Sequence, residues 1–229
     1  MPEMNTSDGV RLHYEIEGRE DGPPLLFSNA LGTDLRLWDA QAEAAAGLGL
    51  RVVRYDQRGH GRSTWPSPTH PSADVTIDQL GEDLAVVLDR LAPTGPVVLA
   101  GHSMGGMTIM ALAAARPELF GERVRGVALV STAAGDLTSD PRSAGGRMAR
   151  ISPRMLDAVL AGAVVFERLR RLVPPHHPRH RKMVRSLLYG ADATDEMVLA
   201  GAEIMHATTL RSFIEFMPAL GDHDKREEL

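Results

Sequence analysis

The segment that most constrains the fold of this chain is a glycine-rich hexapeptide, Gly-His-Ser-Met-Gly-Gly, at positions 101–106. An apolar, β-branched run at 96–100 precedes it, and a stretch rich in alanine, methionine and leucine follows it as far as Pro117. This context predicts a buried strand, a sharp turn and a helix. Glycine suits the turn because side chains at positions 101 and 105 would collide with neighbouring backbone. We expect Ser103 to stand at the tip of the turn, in front of the helix N-terminus.

Other short apolar runs predict further strands. Three of them are bounded by glycine, proline or aspartate and are typical of strands buried on both faces: 25–28, 51–55 and 124–130. Residues 10–16 instead alternate apolar and polar side chains after Asp8-Gly9, which predicts a hairpin near the start. Helical stretches, such as 78–91 with its stripe of leucine and valine, lie between the strands. The pattern therefore predicts an α/β fold with a doubly wound, mostly parallel sheet.

The composition changes after Gly135, which suggests three regions within the 229 residues. Residues 1–135 carry the alternating strands and helices, and we expect them to form the N-terminal part of the core. Residues 136–210 are rich in arginine and methionine and have a helical pattern. We expect them to form an inserted cap over the C-terminal edge of the sheet. Residues 211–229 are expected to return to the core as a helix.

The spacing Gly-x-Ser-x-Gly within the hexapeptide is typical of a nucleophilic serine at a strand-to-helix turn. An incidental serine in a glycine-rich turn is the simplest alternative, and the flanking strand and helix argue against it. A nucleotide-binding loop is disfavoured because the chain has no Gly-Lys-Ser/Thr, and no Gly-x-Gly-x-x-Gly follows the first parallel strand. Ser103 is therefore the candidate nucleophile.

Four blocks of the sequence together resemble the α/β-hydrolase superfamily, and the resemblance spans nearly the whole chain. The blocks are 28–33, 55–63, the hexapeptide and the strand at 127–131. The first, Ser-Asn-Ala-Leu-Gly-Thr, is similar to 3-oxoadipate enol-lactonases, in which Ser-Asn-x-Leu-Gly replaces the commoner His-Gly. The hexapeptide and the Arg-Pro-Glu-Leu-Phe after it are more similar to general esterases and lipases of actinobacterial type.

This resemblance implies hydrolysis of a carboxylic ester or lactone through an acyl-enzyme on Ser103, without a cofactor. It also implies an oxyanion hole formed by the backbone N–H groups of Leu31 and Met104. The alignment of the first block leaves the position of the first donor open by one residue on either side of Leu31. A serine at this position disfavours the aspartate-nucleophile relatives, namely epoxide hydrolases and dehalogenases. Haloperoxidase-like and carbon–carbon bond hydrolase reactions stay open, as does a non-catalytic chain that binds a ligand or partner.

The acid and the histidine of a serine-hydrolase triad are expected after the nucleophile, in loops that follow the last two strands of this superfamily. The stretch ending at Leu229 resembles the helix before the seventh strand, and no later strand or Gly-His loop follows it. Asp136, after the sixth strand, is a possible acid, whereas His206 and His223 lie in helical or terminal stretches. We therefore expect a partial hydrolase with impaired turnover and an apolar sheet edge that favours self-association.

Other histidines are not assigned to catalysis. His60 lies in an Arg-Gly-His-Gly block and is interpreted as stabilising its loop, and His102 is interpreted as contributing packing or a hydrogen bond beside the serine. The run at 174–182 contains three histidines but no carboxylate. Its prolines indicate a solvated loop of the cap rather than a metal site.

Composition excludes several other classes of function. A formal net charge of −5 gives no basic excess for binding nucleic acid. The absence of cysteine excludes a disulfide framework, a thiolate zinc site and a cysteine nucleophile. No apolar run approaches the ~20 residues of a membrane span. The polar residues 1–20 do not resemble a signal peptide, so we expect a cytoplasmic enzyme that acts on a small molecule.

Overall fold

A six-stranded mixed sheet organises the fold. The computed structural model describes residues 2–65, 75–137, 167–168 and 170–228. The strands are β1 (Glu3–Asn5), β2 (Arg11–Gly18), β3 (Pro24–Ser28), β4 (Arg51–Tyr55), β5 (Val97–His102) and β6 (Val124–Val130). Their order is β1-β2-β4-β3-β5-β6, in which β1, β2 and β4 pair antiparallel and β4, β3, β5 and β6 pair in parallel. The predicted mostly parallel sheet is therefore confirmed.

Helices alternate with these strands and follow one another after β6. In the described residues they are α1 (Asp39–Gly47), α2 (Ile77–Leu91), α3 (Met104–Ala115), α4 (Pro178–Leu188), α5 (Asp195–Ala207) and α6 (Leu210–Asp222), with short 3-10 turns at Leu35–Trp38 and Pro117–Leu119. The stretches predicted as helices at 78–91 and 104–116 agree with α2 and α3 within one residue. No helix in the described ranges is long and apolar enough to cross a membrane.

Side chains of β3 explain how both faces of the sheet are covered. Successive residues of a strand point to opposite faces, so Leu26 and Phe27 enter different clusters. Leu26 packs in a cluster with side chains of α2 and α3, including Leu88 and Leu112. Phe27 stacks on Trp38, with ring centroids 4.5 Å apart, in a cluster that contains alanines of α1. Helices α2 and α3 therefore cover one face and α1 covers the other, as in a doubly wound sheet.

The C-terminal helices pack in two groups. Helices α4 and α5 contact each other through a small buried cluster of Val184, Val198 and Ala202. Helix α6 instead packs on the core, where Phe216 is fully buried in a cluster that contains Met104. Residues 138–166, which belong to the predicted cap, lie outside the described residues. The boundaries at 135 and 210 therefore stay predictions.

The interpretation of the run at 174–182 as a loop agrees with the structure at 174–177 and is wrong at 178–182, which is helical. Helix α4 begins at Pro178, because the fixed φ and missing N–H of proline suit the first turn of a helix. His177 caps this helix, and its Nδ1 accepts a hydrogen bond from the Arg179 N–H at 3.2 Å. Among the residues that the structure describes, no group of three or more side chains is arranged to hold a metal ion.

Strand β6 forms one edge of the described sheet. Three of its exposed side chains are large and apolar: Val127, Leu129 and Val130 are 41%, 46% and 43% exposed. The edge of a sheet offers backbone groups that can pair with another strand. The expected self-association through this edge has a structural basis but stays a prediction.

Arg58 joins three parts of the fold through buried ion pairs. It lies in the loop after β4, and its side chain is 2% exposed. The guanidinium donates two hydrogen bonds to Asp83 of α2, at 2.7 and 2.6 Å, and one to Asp8 before β2, at 2.7 Å. Because a buried charge is costly without its partner, this pairing ties the loop to α2.

Replacing Arg58 with methionine is expected to lower the free energy of unfolding by about 3–5 kcal/mol, because Asp83 stays buried without its counter-charge. Urea unfolding followed by circular dichroism measures this loss. Arg19→Met is the matched control, since Arg19 pairs with Asp21 at the surface, and it should leave stability nearly unchanged. A loss below about 1 kcal/mol for Arg58→Met would show that the buried pair is dispensable.

Candidate active site

Ser103 lies at a strained turn between β5 and α3. Its φ of 53° and ψ of −116° fall outside the regions that non-glycine residues favour. The Ser103 N–H donates to the Val130 carbonyl of β6 at 2.9 Å, and the Ser103 carbonyl accepts the Thr132 hydroxyl at 2.7 Å. The same carbonyl accepts the N–H groups of Gly106 and Met107, at 2.9 and 3.2 Å, at the start of α3. These bonds hold the backbone of Ser103 in its unusual conformation.

Each glycine of the hexapeptide allows a neighbouring segment to approach closely. A Cβ on Gly101 would overlap the carbonyl of Gly105, and a Cβ on Gly105 would overlap the carbonyl of Ser28 at the end of β3. A Cβ on Gly106 would overlap the side chain of Thr132, just after β6. The collisions expected at positions 101 and 105 are therefore confirmed. Helix α3 begins in direct contact with segments on both sides of β5.

The two backbone N–H groups implied as an oxyanion hole come from adjacent segments. Met104 is the first residue of α3, and Gly105 beside it lies against Ser28, three residues before Leu31. Neither the Leu31 nor the Met104 N–H donates a hydrogen bond to any described residue. The Leu31 side chain packs on the cluster that contains Met104. Convergence of the two N–H groups on one oxygen position stays a prediction that these contacts support.

The loop that carries Leu31 is a closed turn covered by α6. The Asn29 side-chain amide donates to the Thr33 carbonyl at 2.9 Å, and the Thr33 N–H donates to the Ala30 carbonyl at 3.2 Å. Gly32 has a φ of 76°, and the ring of Phe213 occupies the space that a side chain there would need. Sequence reasoning missed Phe213, because an aromatic residue in a helical stretch carries no signal of the loop it covers.

No described side chain hydrogen-bonds the Ser103 Oγ. The neighbouring His102 is half-buried, and desolvation lowers its pKa. His60 is buried, and its Nδ1–H donates to the Arg58 carbonyl at 3.0 Å. Burial lowers the pKa of His60 to about 4, so its ring is neutral near pH 7. These contacts agree with the interpretation of His60 as a residue that stabilises its loop.

The structure places the three possible members of a catalytic triad, Asp136, His206 and His223, in different parts of the fold. Asp136, after β6, pairs with Arg226 at 3.8 Å. His206 lies in α5, and its Nδ1 accepts a hydrogen bond from Arg170 at 3.3 Å. His223 is 4% exposed at the end of α6, and neither of its ring nitrogens has a hydrogen-bond partner in the described structure. Their roles as acid or base stay predictions.

A cavity of about 460 Å³ lies between α4, α5 and α6. Most of its lining is apolar, from Val173, Met183, Met205, Leu210 and Phe213, and the polar side chains are Arg170, His180, His206 and Thr208. Phe213 connects the cavity with the loop that carries Leu31, because the same ring lies against Gly32. The cavity is therefore next to the segment that carries Leu31.

Comparisons with known proteins agree with this geometry. Residues 23–172 match a family described as alpha/beta hydrolase fold. The 3-oxoadipate enol-lactonase 2 of Acinetobacter baylyi is 39% identical over 117 residues, which are 51% of this chain and 41% of that protein. A putative carbamate hydrolase of Variovorax paradoxus is 39% identical over 106 residues, which are 46% of this chain and 38% of that protein. The matched regions thus span about two fifths of the length of these curated relatives.

A solved structure extends the likeness to nearly the whole chain. The enol-lactonase from Burkholderia xenovorans LB400 is 29% identical, with a TM-score of 0.65, and the match covers 99% of this chain and 76% of that one. The sheet, the serine turn and the family match together define the class of protein. The chain belongs to the alpha/beta hydrolase fold family, as the sequence blocks predicted.

Gly105→Ala is expected to lower the free energy of unfolding by about 1–3 kcal/mol and to abolish reaction of Ser103 with a fluorophosphonate, because the added Cβ pushes α3 away from Ser28. Thermal unfolding and probe labelling measure the two effects. Gly47→Ala in α1 is the matched control, since a Cβ there meets no atom within 4 Å, and it should leave both unchanged or raise stability. Equal behaviour of the two variants would contradict the close approach at Gly105.

Proposed function

We propose that this protein cleaves a carboxylic ester or lactone by nucleophilic attack of Ser103. The observation that carries the proposal is the strained Ser103 turn beside two unpaired backbone N–H groups, on Leu31 and Met104, within the described residues. The carbonyl oxygen of an ester or lactone becomes negatively charged when attacked, and two amide donors stabilise that charge. The names of the relatives, enol-lactonase and carbamate hydrolase, support a carbonyl substrate.

In this mechanism the Ser103 Oγ attacks the carbonyl carbon, and the N–H groups of Leu31 and Met104 hold the oxyanion. Collapse of the tetrahedral intermediate expels the alcohol and leaves an acyl-enzyme, which water then cleaves to the acid. Each half-reaction needs a base that takes a proton from the nucleophile and returns it to the leaving group. Ser103 has no such partner among the described residues, so full turnover requires a histidine brought to its Oγ.

The cavity between α4, α5 and α6 is the proposed site for the apolar part of the substrate. Its volume of about 460 Å³ lies within the range typical of small-molecule sites. Met183 and Met205 in its lining are flexible side chains that suit an adaptable apolar pocket. Contact of Phe213 with Gly32 brings the cavity next to the oxyanion loop. In this proposal residues 136–210 act as the cap, and the cavity selects the group attached to the carbonyl.

A second candidate function is ligand binding without turnover. It is favoured by one observation: in the described part of the chain no base is hydrogen-bonded to Ser103. Reaction of Ser103 with a fluorophosphonate, measured beside turnover of an activated aryl ester, separates the two candidates.

We expect slow Ser103-dependent labelling, lost in Ser103→Ala, because attack on phosphorus also lacks a base, but the proposed oxyanion donors still assist it and one reaction event is enough to label the serine. We expect the 229-residue chain to turn over the ester at least ~10⁴-fold more slowly than complete serine hydrolases, because the hydroxyl stays protonated near neutral pH. Absence of labelling would favour the binding role. Robust Ser103-dependent turnover would mean that a base reaches Oγ, with His206 and His223 the first to test.

Met205→Trp is expected to fill the cavity and to lower the labelling rate by a long-chain alkyl fluorophosphonate relative to a short-chain one by about tenfold or more. The ratio of the two rates is the measurement, so it does not depend on turnover. Met197→Trp is the matched control, because Met197 lies on the same helix, outside the cavity lining, and is 50% exposed. If Met205→Trp kept the wild-type ratio, the cavity would not be the site of the substrate chain.

A further inference from the structure

A buried glutamine joins the two segments that carry the proposed oxyanion donors. Gln57, in the loop after β4, has no exposed surface. Its Nε2 donates to the Asn29 carbonyl at 2.5 Å, and its Oε1 accepts the Thr108 hydroxyl at 3.0 Å. Both ends of the side-chain amide are therefore hydrogen-bonded, one to the loop of Leu31 and the other to α3.

Each of these hydrogen bonds is close to a donor. Asn29 precedes Leu31 by two residues and closes the same turn through its bond to the Thr33 carbonyl. Thr108 lies one helical turn after Met104, and its single hydroxyl proton is shared between Gln57 Oε1 and the Met104 carbonyl, each 3.0 Å away. Asn29 and Thr108, like Gln57, are fully buried, so water does not compete for these bonds. One side chain thus connects the backbone around Leu31 with the first turn of α3.

We infer that Gln57 is a positioning residue that sets the separation of the Leu31 and Met104 N–H groups, an inference that rests on the proposed function. An oxyanion hole stabilises a transition state best when its donors are already in place before the reaction. Donors on a loop and on a helix keep their separation only if the two segments are joined. The backbone contact at Gly105 limits how closely the segments approach, and Gln57 limits how far they part.

A neighbouring buried hydrogen bond does not join the segments of Leu31 and Met104, so it provides a control. The hydroxyls of Ser28 and Tyr55 form a hydrogen bond of 3.2 Å, and both residues are buried, as Gln57 is. This bond joins β3 to β4 and does not reach α3. Tyr55→Phe therefore removes a buried hydrogen bond beside the loop without separating the two donor segments.

The first measurement is the saturation kinetics of Ser103 labelling by a fluorophosphonate. Gln57→Met keeps the size of the side chain without its hydrogen bonds, and we expect its maximal labelling rate to fall about tenfold or more. The concentration for half-maximal rate should change less than about threefold, because donor placement matters more in the transition state than in the first complex. Thr108→Val should show a smaller loss, and Thr108→Ser, which keeps the hydroxyl, should restore the wild-type rate. Tyr55→Phe should label like wild type.

The second measurement is backbone hydrogen exchange, which does not depend on reactivity. Gln57→Met should raise exchange in residues 29–33 and leave exchange in α2 unchanged. If wild-type Ser103 is not labelled, the proposed function fails and exchange alone decides the inference. If Gln57→Met does not fold, Thr108→Val and Thr108→Ser decide it. Unchanged exchange at 29–33, or a loss of labelling in Tyr55→Phe as large as in Gln57→Met, would overturn the role of Gln57.

Discussion

The contact between Gly105 and the end of β3 is the constraint on which the candidate site depends. Because Gly105 has no side chain, α3 begins against the Ser28 carbonyl, and the Met104 N–H comes to lie beside the loop after β3. The same tight connection gives Ser103 a positive φ, a conformation that costs on the order of 1–3 kcal/mol. Hydrogen bonds to Val130 and Thr132 offset this cost from the β6 side. The strands on both sides of β5 therefore hold the Ser103 turn in place.

The loop after β4 supports the site through three consecutive side chains that each bind a different part of the fold. The Asp56 carboxylate accepts the N–H groups of Leu35 and Arg62, at 2.8 and 2.9 Å, although burial raises its pKa to about 6. Gln57 joins the loop of Leu31 to α3, and Arg58 pairs with α2. Because these polar groups are buried and paired, each one fixes an orientation that an apolar residue of the same size would leave free. These three side chains therefore form a scaffold for the segments that carry Leu31 and Met104.

Sequence patterns predicted the features whose signals are local. The apolar strands and the glycine spacing around Ser103 are read from consecutive residues, so the sheet and the serine turn were predictable. Gln57 and Phe213 were missed as site residues because their partners, Thr108 and Gly32, are distant in the chain. The prolines at 174–182 suggest a loop because proline interrupts the interior of a helix. Proline also suits the first turn of a helix, and the sequence pattern alone does not show which position it occupies.

Among the described residues, Ser103 lacks a general base because no histidine ring nitrogen is hydrogen-bonded to its Oγ, and not because the histidines are protonated. Desolvation lowers the pKa of four of them, which keeps the neutral ring favoured near pH 7: His60, His102, His206 and His223. A general base must also place an unprotonated ring nitrogen within hydrogen-bond reach of the nucleophile, and no described ring does so. The Nδ1 of His206 is occupied by Arg170. Since the segments of Leu31 and Met104 are held by contacts within the described fold, the rate of the proposed turnover should depend on how a ring nitrogen is brought to Ser103.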